Sequence, residues 1–399
     1  MVKKLRFLAV MLCIISLITG CEFSKKYDGQ VTAVIHNEAD TFELAVAEEE
    51  LISYYEKSNK LGYDLFKNNL DDNKIISPIT LSNTLLDLSE IFNKDFSLFL
   101  NDAIPNFKDN IDAKDFNKSS LQDLTSKRAI WINYNLALRY NANALNFNNF
   151  KDFDFYLIDN LYETRNDVIN AYVKEKLETK QNLVETQDNY DCEIVDINSL
   201  NSKILLIADA VSYKTHSFKG KAIIADKQYV AAKNLNCKYF KNPELSMIEL
   251  PLESKNNNLV LDIITTSSKQ NINEIILKYD YDQFSLLLKN LEDSPTITIK
   301  NFEMPSIDNI YNCSNNNYFI ESNLGFIFDS LSLNTNQGNL NDIQIDQINQ
   351  INKLSLDTQK INTVIESSNT VTNFKVYSSF IFVIRDTINN SIIYIGNMN

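Results

Sequence analysis

Few residues of this chain are equipped for chemistry, and they do not assemble. The 399 residues include two histidines, His36 and His216, and five cysteines, Cys13, Cys21, Cys192, Cys237 and Cys313. Nucleophilic catalysis needs a base beside the nucleophile and donors for the developing charge. Any His-based constellation would rest on His216 alone, and its expected place is the surface or the edge of the core. No cysteine pair has the C-x-x-C spacing of a metal site. The glycines, Gly20, Gly29, Gly62, Gly220, Gly325, Gly338 and Gly396, are scattered. None forms a Gly-x-Gly-x-x-Gly turn or a phosphate-cradling loop. No catalytic residue, metal or cofactor is expected, and an enzyme is the least supported function class.

Cys21 carries the most definite chemistry. Lys3, Lys4 and Arg6 precede an apolar run over 7–18 that ends at Thr19-Gly20-Cys21. A basic region, a short apolar core and a small residue at the cut make a bacterial export signal. Leu17-Ile-Thr-Gly-Cys21 is similar to a lipobox, which implies that the Cys21 sulfur takes a diacylglyceryl group before cleavage. A plain signal peptide with an incidental Cys is the alternative. Each buried methylene of such an anchor contributes about 0.8 kcal/mol, so several acyl chains hold stably. The expected organisation is a lipoprotein signal peptide over 1–20, a polar tether over 21–44 and one domain over 45–399. The protein is then exported and lipid-anchored at the bacterial cell membrane or outer membrane, with surface exposure left open. Cys192, Cys237 and Cys313 remain in the body; one disulfide plus one thiol is open to them, and the sequence does not choose.

A content of 44% apolar and 11% aromatic residues suffices for a large core. Net charge is −14 with a pI near 4.8, which excludes nucleic acid and anionic membrane surfaces as partners of the body. A monomer is expected. An amphipathic helix over 48–69 places Leu51, Tyr54, Leu61, Leu65 and Phe66 on one face. Pro78 sits at a helix start, where its missing N–H costs nothing. Trp131 lies in a short strand over 129–132 and reads as core. Helices follow over 168–176 and 272–291. The run 204–213 reads as a strand buried on both faces, and further strands are expected over 247–252, 259–265 and 296–302. The chain ends in two buried strands, 380–384 and 392–395, joined by the turn at 386–390.

Several segments resemble the serpins. Asn73-Lys-Ile-Ile-Ser-Pro-Ile-Thr-Leu-Ser-Asn-Thr-Leu-Leu86 is similar to that family's Asn-x-x-x-Ser-Pro-x-Ser step from strand to helix. Phe380-Ile-Phe-Val-Ile-Arg385 and Ile392-Ile-Tyr-Ile-Gly396 resemble its two closing strands. Ile169-Asn-Ala-Tyr172 resembles an Ile-Asn-x-Trp element, Ile248-Glu-Leu-Pro251 a Leu-Glu-Leu-Pro step, and Leu324-Gly-Phe-Ile-Phe-Asp329 a helix end. The matches occur in family order over 45–399. They imply an α+β domain, the serpin fold, with helices packed around a large central mixed or antiparallel sheet and additional smaller sheets. They also imply a protease, serine or cysteine, as partner, trapped when a cut loop inserts into the main sheet.

The resemblance is incomplete where that mechanism lives. A family Phe-Lys-Gly-x-Trp stretch is here Tyr213-Lys-Thr-His-Ser217, and a His that bonds between central strands falls on Gln350. The hinge implied by the resemblance comprises Thr358, Gln359, Lys360, Ile361, Asn362, Thr363, Val364 and Ile365. Inhibitors of the family carry acidic, Gly and Ala residues there. Ile361, Thr363 and Ile365 are β-branched and stiff, and overpacking a fixed slot costs about 1–3 kcal/mol. The implied reactive loop is Glu366, Ser367, Ser368, Asn369, Thr370, Val371, Thr372 and Asn373, shorter than usual, and 374–377 reads as the next strand. The expected function is therefore a non-inhibitory, lipid-anchored serpin-like protein that binds or shields at the surface. A suicide inhibitor of a serine or cysteine endopeptidase is the alternative.

Overall fold

A computed structural model describes residues 31–35, 48–70, 74–91, 124–133, 153–158, 161–177, 204–226, 229–252, 258–267, 270–305, 307–314, 331–335, 338–360, 370–376 and 379–399. Residues 1–30, His36, Cys192, 324–329 and 361–369 lie outside that set, and with them the signal, Cys21 and most of the expected hinge.

Helix α1 (Glu48–Lys67) follows its apolar stripe: Tyr54, Leu65 and Phe66 are fully buried and Leu61 packs against the core. It lies against α2 (Pro78–Ile91), which starts at its proline as expected, with the amide of Leu81 donating to the Ser77 carbonyl. The contact is tight at Gly62, where an added Cβ would come within 2.2 Å of Pro78 Cγ. Helix α3 (Leu161–Lys176) buries Ile169, Tyr172 and Val173.

The helix expected over 272–291 is two helices, α4 (Ile272–Ile276) and α5 (Tyr281–Glu292). Asp280 explains the break. Its carboxylate accepts from the Gln283 amide while the Gln283 side chain accepts from the Asp280 amide, a reciprocal capping box that starts a new helix. Apolar periodicity carried across the break and hid it.

The strands in chain order are β1 (Val31–Ile35), β2 (Ile75–Ile76), β3 (Leu124–Asn133), β4 (Phe153–Ile158), β5 (Ile204–Asp226), β6 (Tyr229–Lys241), β7 (Leu245–Pro251), β8 (Leu259–Thr266), β9 (Thr296–Pro305), β10 (Asp308–Ser314), β11 (Leu331–Thr335), β12 (Gly338–Lys360), β13 (Thr370–Lys375), β14 (Phe380–Asp386) and β15 (Ile392–Met398). The main sheet runs β1-β4-β3-β5-β12-β10. It is mixed: β3 with β4 and β5 with β12 are parallel, the rest antiparallel. The far half of β5 leaves this sheet to pair with β6, and a second set, β6-β7-β8-β14-β15-β2, continues from there. β9 joins β6, and β13 joins β9.

The closing strands are antiparallel neighbours, and β14 is buried throughout. Their uninterrupted apolar runs are those of strands covered on both faces. Gly396 is required there, because a Cβ would sit 2.6 Å from Phe382 Cζ and 2.7 Å from the Lys74 carbonyl oxygen. Trp131 is fully buried, stacked on Tyr156 and edge-on to Tyr172.

One stretch of the expected tether is a strand. Val31–Ile35 pairs antiparallel with β4 on the outer edge of the main sheet. The polar residues around it masked four good strand formers among five, Val-Thr-Ala-Val-Ile.

Candidate functional site

The candidate site is the junction of β5, β12 and α2, close to where Lys360 ends β12. β12 runs directly alongside β5 from Gln344, opposite Ile204, to Lys360, opposite Gly220. No strand lies between them over that length. Thr358, Gln359 and Lys360 of the expected hinge are thus strand residues, with Thr358 paired to Ser217. His216 sits on β5 opposite Asp357.

At the other side of 361–369 the expectation needs correction. Thr370, Val371, Thr372 and Asn373 are not loop: they open β13, which pairs parallel with β9 from Thr370 opposite Thr298 to Lys375 opposite Glu303. The strand begins four positions before Phe374, where the sequence had placed it. Phe374 anchors it, buried against Phe302 and edge-on to Tyr239. Lys375 Nζ pairs with Glu303 Oε2 at 3.0 Å on the exposed side. Thr370, Thr372 and Asn373 are exposed, so no apolar alternation announced them as strand. The span between the two strands is therefore 361–369, which holds Ile361 to Ile365 and Glu366, Ser367, Ser368 and Asn369 outside the described residues.

Below the hinge, a fully buried polar cluster ties β12 to the start of α2. Gln350 accepts from the Ser77 amide through Oε1 at 2.9 Å. Its Nε2 donates to the Ser77 carbonyl at 3.0 Å and to Thr80 Oγ1 at 2.8 Å. Asn352 Nδ2 donates to the Ile75 carbonyl at 2.8 Å and to Gln350 Oε1 at 3.3 Å. A buried amide that uses both its donor and its acceptor fixes two elements in one register, since breaking any bond strands a polar group. Gln350 does donate and accept, but to the start of α2 rather than between the central strands β5 and β12, and it carries no titratable group. Two buried oxygens, Ser77 Oγ and Asn352 Oδ1, have no hydrogen-bond partner among the described residues. The sequence pointed to Ser77, Pro78 and Gln350; it did not mark Thr80 or Asn352. The alternation of Asn349, Gln350 and Asn352 inside an isoleucine-rich strand was the available signal.

A second buried cluster lies under the closing strands. Arg385, 3% exposed, bonds Asp262 Oδ2 through Nε at 2.7 Å, Glu249 Oε2 through Nη2 at 2.7 Å and Glu292 Oε2 through Nη1 at 2.9 Å. Lys238 adds to Glu249 at 3.1 Å. Burial, with Glu249 and Glu292 alongside, lifts the Asp262 carboxyl to about 7 against the pull of Arg385. Burial alone would lower the Arg385 guanidinium, but Asp262 and Glu249 outweigh it and raise it. Cys237 is a buried free thiol pushed up to about 12 by burial and by Glu249, an unreactive state. Among the described residues no cluster of His, Cys, Asp and Glu could hold a metal ion.

No protein-family model matches the chain, and no curated protein matches it in sequence. Solved structures do match in shape. Native protease nexin-1 with heparin aligns at 16% identity over 88% of this chain and 99% of its own, with a TM-score of 0.61. A thermophilic serpin, tengpin, in its native state aligns at 16% identity over 92% and 99%, TM-score 0.60. SRPN18 from Anopheles gambiae aligns at 12% identity over 87% and 97%, TM-score 0.61. Together with the mixed main sheet, the closing strands and the strand-to-helix step at Ser77-Pro78, these alignments establish that the chain has the serpin fold.

Proposed function

We propose that this chain is a lipid-anchored envelope protein that uses a serpin fold to bind or shield at the cell surface, without trapping proteases and without catalysis. The carrying observation is the shortness of the segment between β12 and β13. Trapping requires a cut arm to enter between β5 and β12 over the length of their pairing. That pairing covers the 17 positions from Gln344 to Lys360 on β12. Only nine residues, 361–369, separate Lys360 from Thr370. A reversal into the slot takes about two residues at the least. The remainder reaches less than half of the slot, too little to carry a docked protease to the far end. Stiff Ile361 and Ile365 slow entry further. The test is incubation with trypsin-, elastase-, subtilisin- and papain-like enzymes followed by denaturing gels. Nicking or no reaction is expected; a boiling-resistant band at the summed mass overturns the reading.

The inhibitor alternative has one observation in its favour. β5 and β12 are directly paired with no strand between them, so the slot that an inserting loop fills in this fold is available. The same gel decides between the two. Heparin, named with protease nexin-1, is a poor partner for a chain of net charge −14.

A further inference from the structure

The sheet register gives the anchored protein an orientation. Ala33 of β1 pairs with Leu157, Leu157 with Ile132, Ile132 with Leu205, and Leu205 with Ile345 of β12. These five residues form one row across the main sheet. At the other end, Lys360 pairs with Gly220, and the next row runs Lys221, Lys233, Asn301, Asn373. The fifteen steps of β12 from Ile345 to Lys360 rise about 3.3 Å each, so the two rows stand on the order of 50 Å apart. Strand directions fix which end the chain enters. β1 runs antiparallel to β4, with Val31 opposite Ile158 and Ile35 opposite Phe155. Phe155 shares the row of Ile130, Ile207 and Ile348, nearer the loop. Val31 is thus the end of β1 farthest from Lys360.

We propose that β1 is a clip that stands the protein on the membrane: the chain leaves a lipidated Cys21, enters the main sheet at its base, and holds the end marked by Lys360 and Thr370 away from the bilayer. This rests on the lipid attachment at Cys21 put forward above. Ten residue steps separate Cys21 from Val31, a reach of at most about 35 Å when fully extended and roughly 18 Å as a flexible coil. Both are shorter than the sheet is tall. The clip replaces the 24-residue tether of 21–44 by a stalk less than half as long, attached at one defined corner. The charge acts in the same direction, since a chain of net −14 is repelled by anionic headgroups. The free pole presents the exposed Thr370, Thr372 and Asn373.

The test uses full-length protein purified with its lipid and reconstituted in phosphatidylcholine vesicles that carry an acceptor-labelled lipid. A donor dye is placed at position 372 through a non-natural amino acid, and energy transfer to the membrane is compared with two variants. Ala33→Pro/Val34→Pro removes two successive amides, one of which faces β4, and frees the strand. The other variant keeps β1 and inserts about 20 Gly-Ser residues after residue 25, lengthening the stalk. Both should raise transfer at least about twofold over wild type, because the loop pole then tumbles onto the bilayer. Equal transfer in all three, with wild type in the membrane fraction, overturns the orientation alone. Wild type that never enters the membrane fraction overturns the lipid attachment, and this inference with it.

Discussion

Gln350 shows how one side chain can hold a sheet to a helix. It makes three bonds to two residues at the start of α2, and all of its partners are buried. Gln350→Ala strands the Ser77 amide away from water and leaves the Thr80 hydroxyl only its bond to the Ser77 carbonyl, so chemical denaturation should show a loss of about 1–3 kcal/mol. Gln350→His should instead fold well at neutral pH and lose stability as the pH falls through about 6, because a buried imidazole resists its charge. Asp262 titrates in the opposite sense. Its carboxyl is raised to about 7 in the folded chain by burial, against about 4 when unfolded, so the folded state holds the extra proton between those values. Its contribution is full below pH 4 and lost as pH rises toward 7, with a slope of up to about 1.4 kcal/mol per pH unit. Denaturation midpoints for wild type minus Asp262→Asn should therefore decline from pH 4 to 7; a flat difference rejects the assignment.

At the scale of elements, two close approaches decide how helices and strands meet. α1 reaches α2 only because residue 62 lacks a side chain, since a Cβ there falls on the Pro78 ring. Gly62→Ala should overpack this contact and cost about 1–3 kcal/mol, a volume effect that outweighs the helix propensity it gains. β13 is the other case. It hangs on the sheet by its ladder to β9 and by Phe374, its one buried side chain. Phe374→Ala removes most of its apolar anchorage, about 3 kcal/mol or more. Amide exchange over 370–375 should speed up in that variant while β14, buried elsewhere in the sheet, stays protected.

For the whole molecule, the short span between β12 and β13 limits what a cut can release. A full inserted strand would add two ladders of backbone bonds to the main sheet. Nine residues less a turn would add fewer than half of them. This protein, nicked by a protease within 361–369, should therefore melt within a few degrees of the intact chain, about the effect of 1 kcal/mol in a chain this size. A rise of tens of degrees would mean full insertion and revive the inhibitor alternative. Membrane attachment is tested at the same scale: Cys21→Ser should move the protein from the membrane to the soluble fraction, since no acyl chain is then present to bury.

Local chemistry made much of this architecture legible in advance. The Ser77-Pro78 helix start, the stripe of α1 and the closing strands are set by proline geometry, helical period and continuous apolar runs, all properties of neighbouring residues. The α+β class and the serpin fold followed from their order. What the sequence left hidden depends on residues far apart in the chain. Val31–Ile35 became a strand because β4, about 120 positions later, offers it an open edge. Thr370 to Asn373, polar and exposed, became a strand because β9 supplies the ladder. Asp280 split one helix into two through a capping bond that periodicity does not register. Gln350 met Ser77 across 273 positions, and Arg385 gathered Glu249, Asp262 and Glu292 from three separate elements. Such contacts join side chains whose separation in sequence carries no period, so only the packed sheet brings them together and shows how little chain is left between β12 and β13.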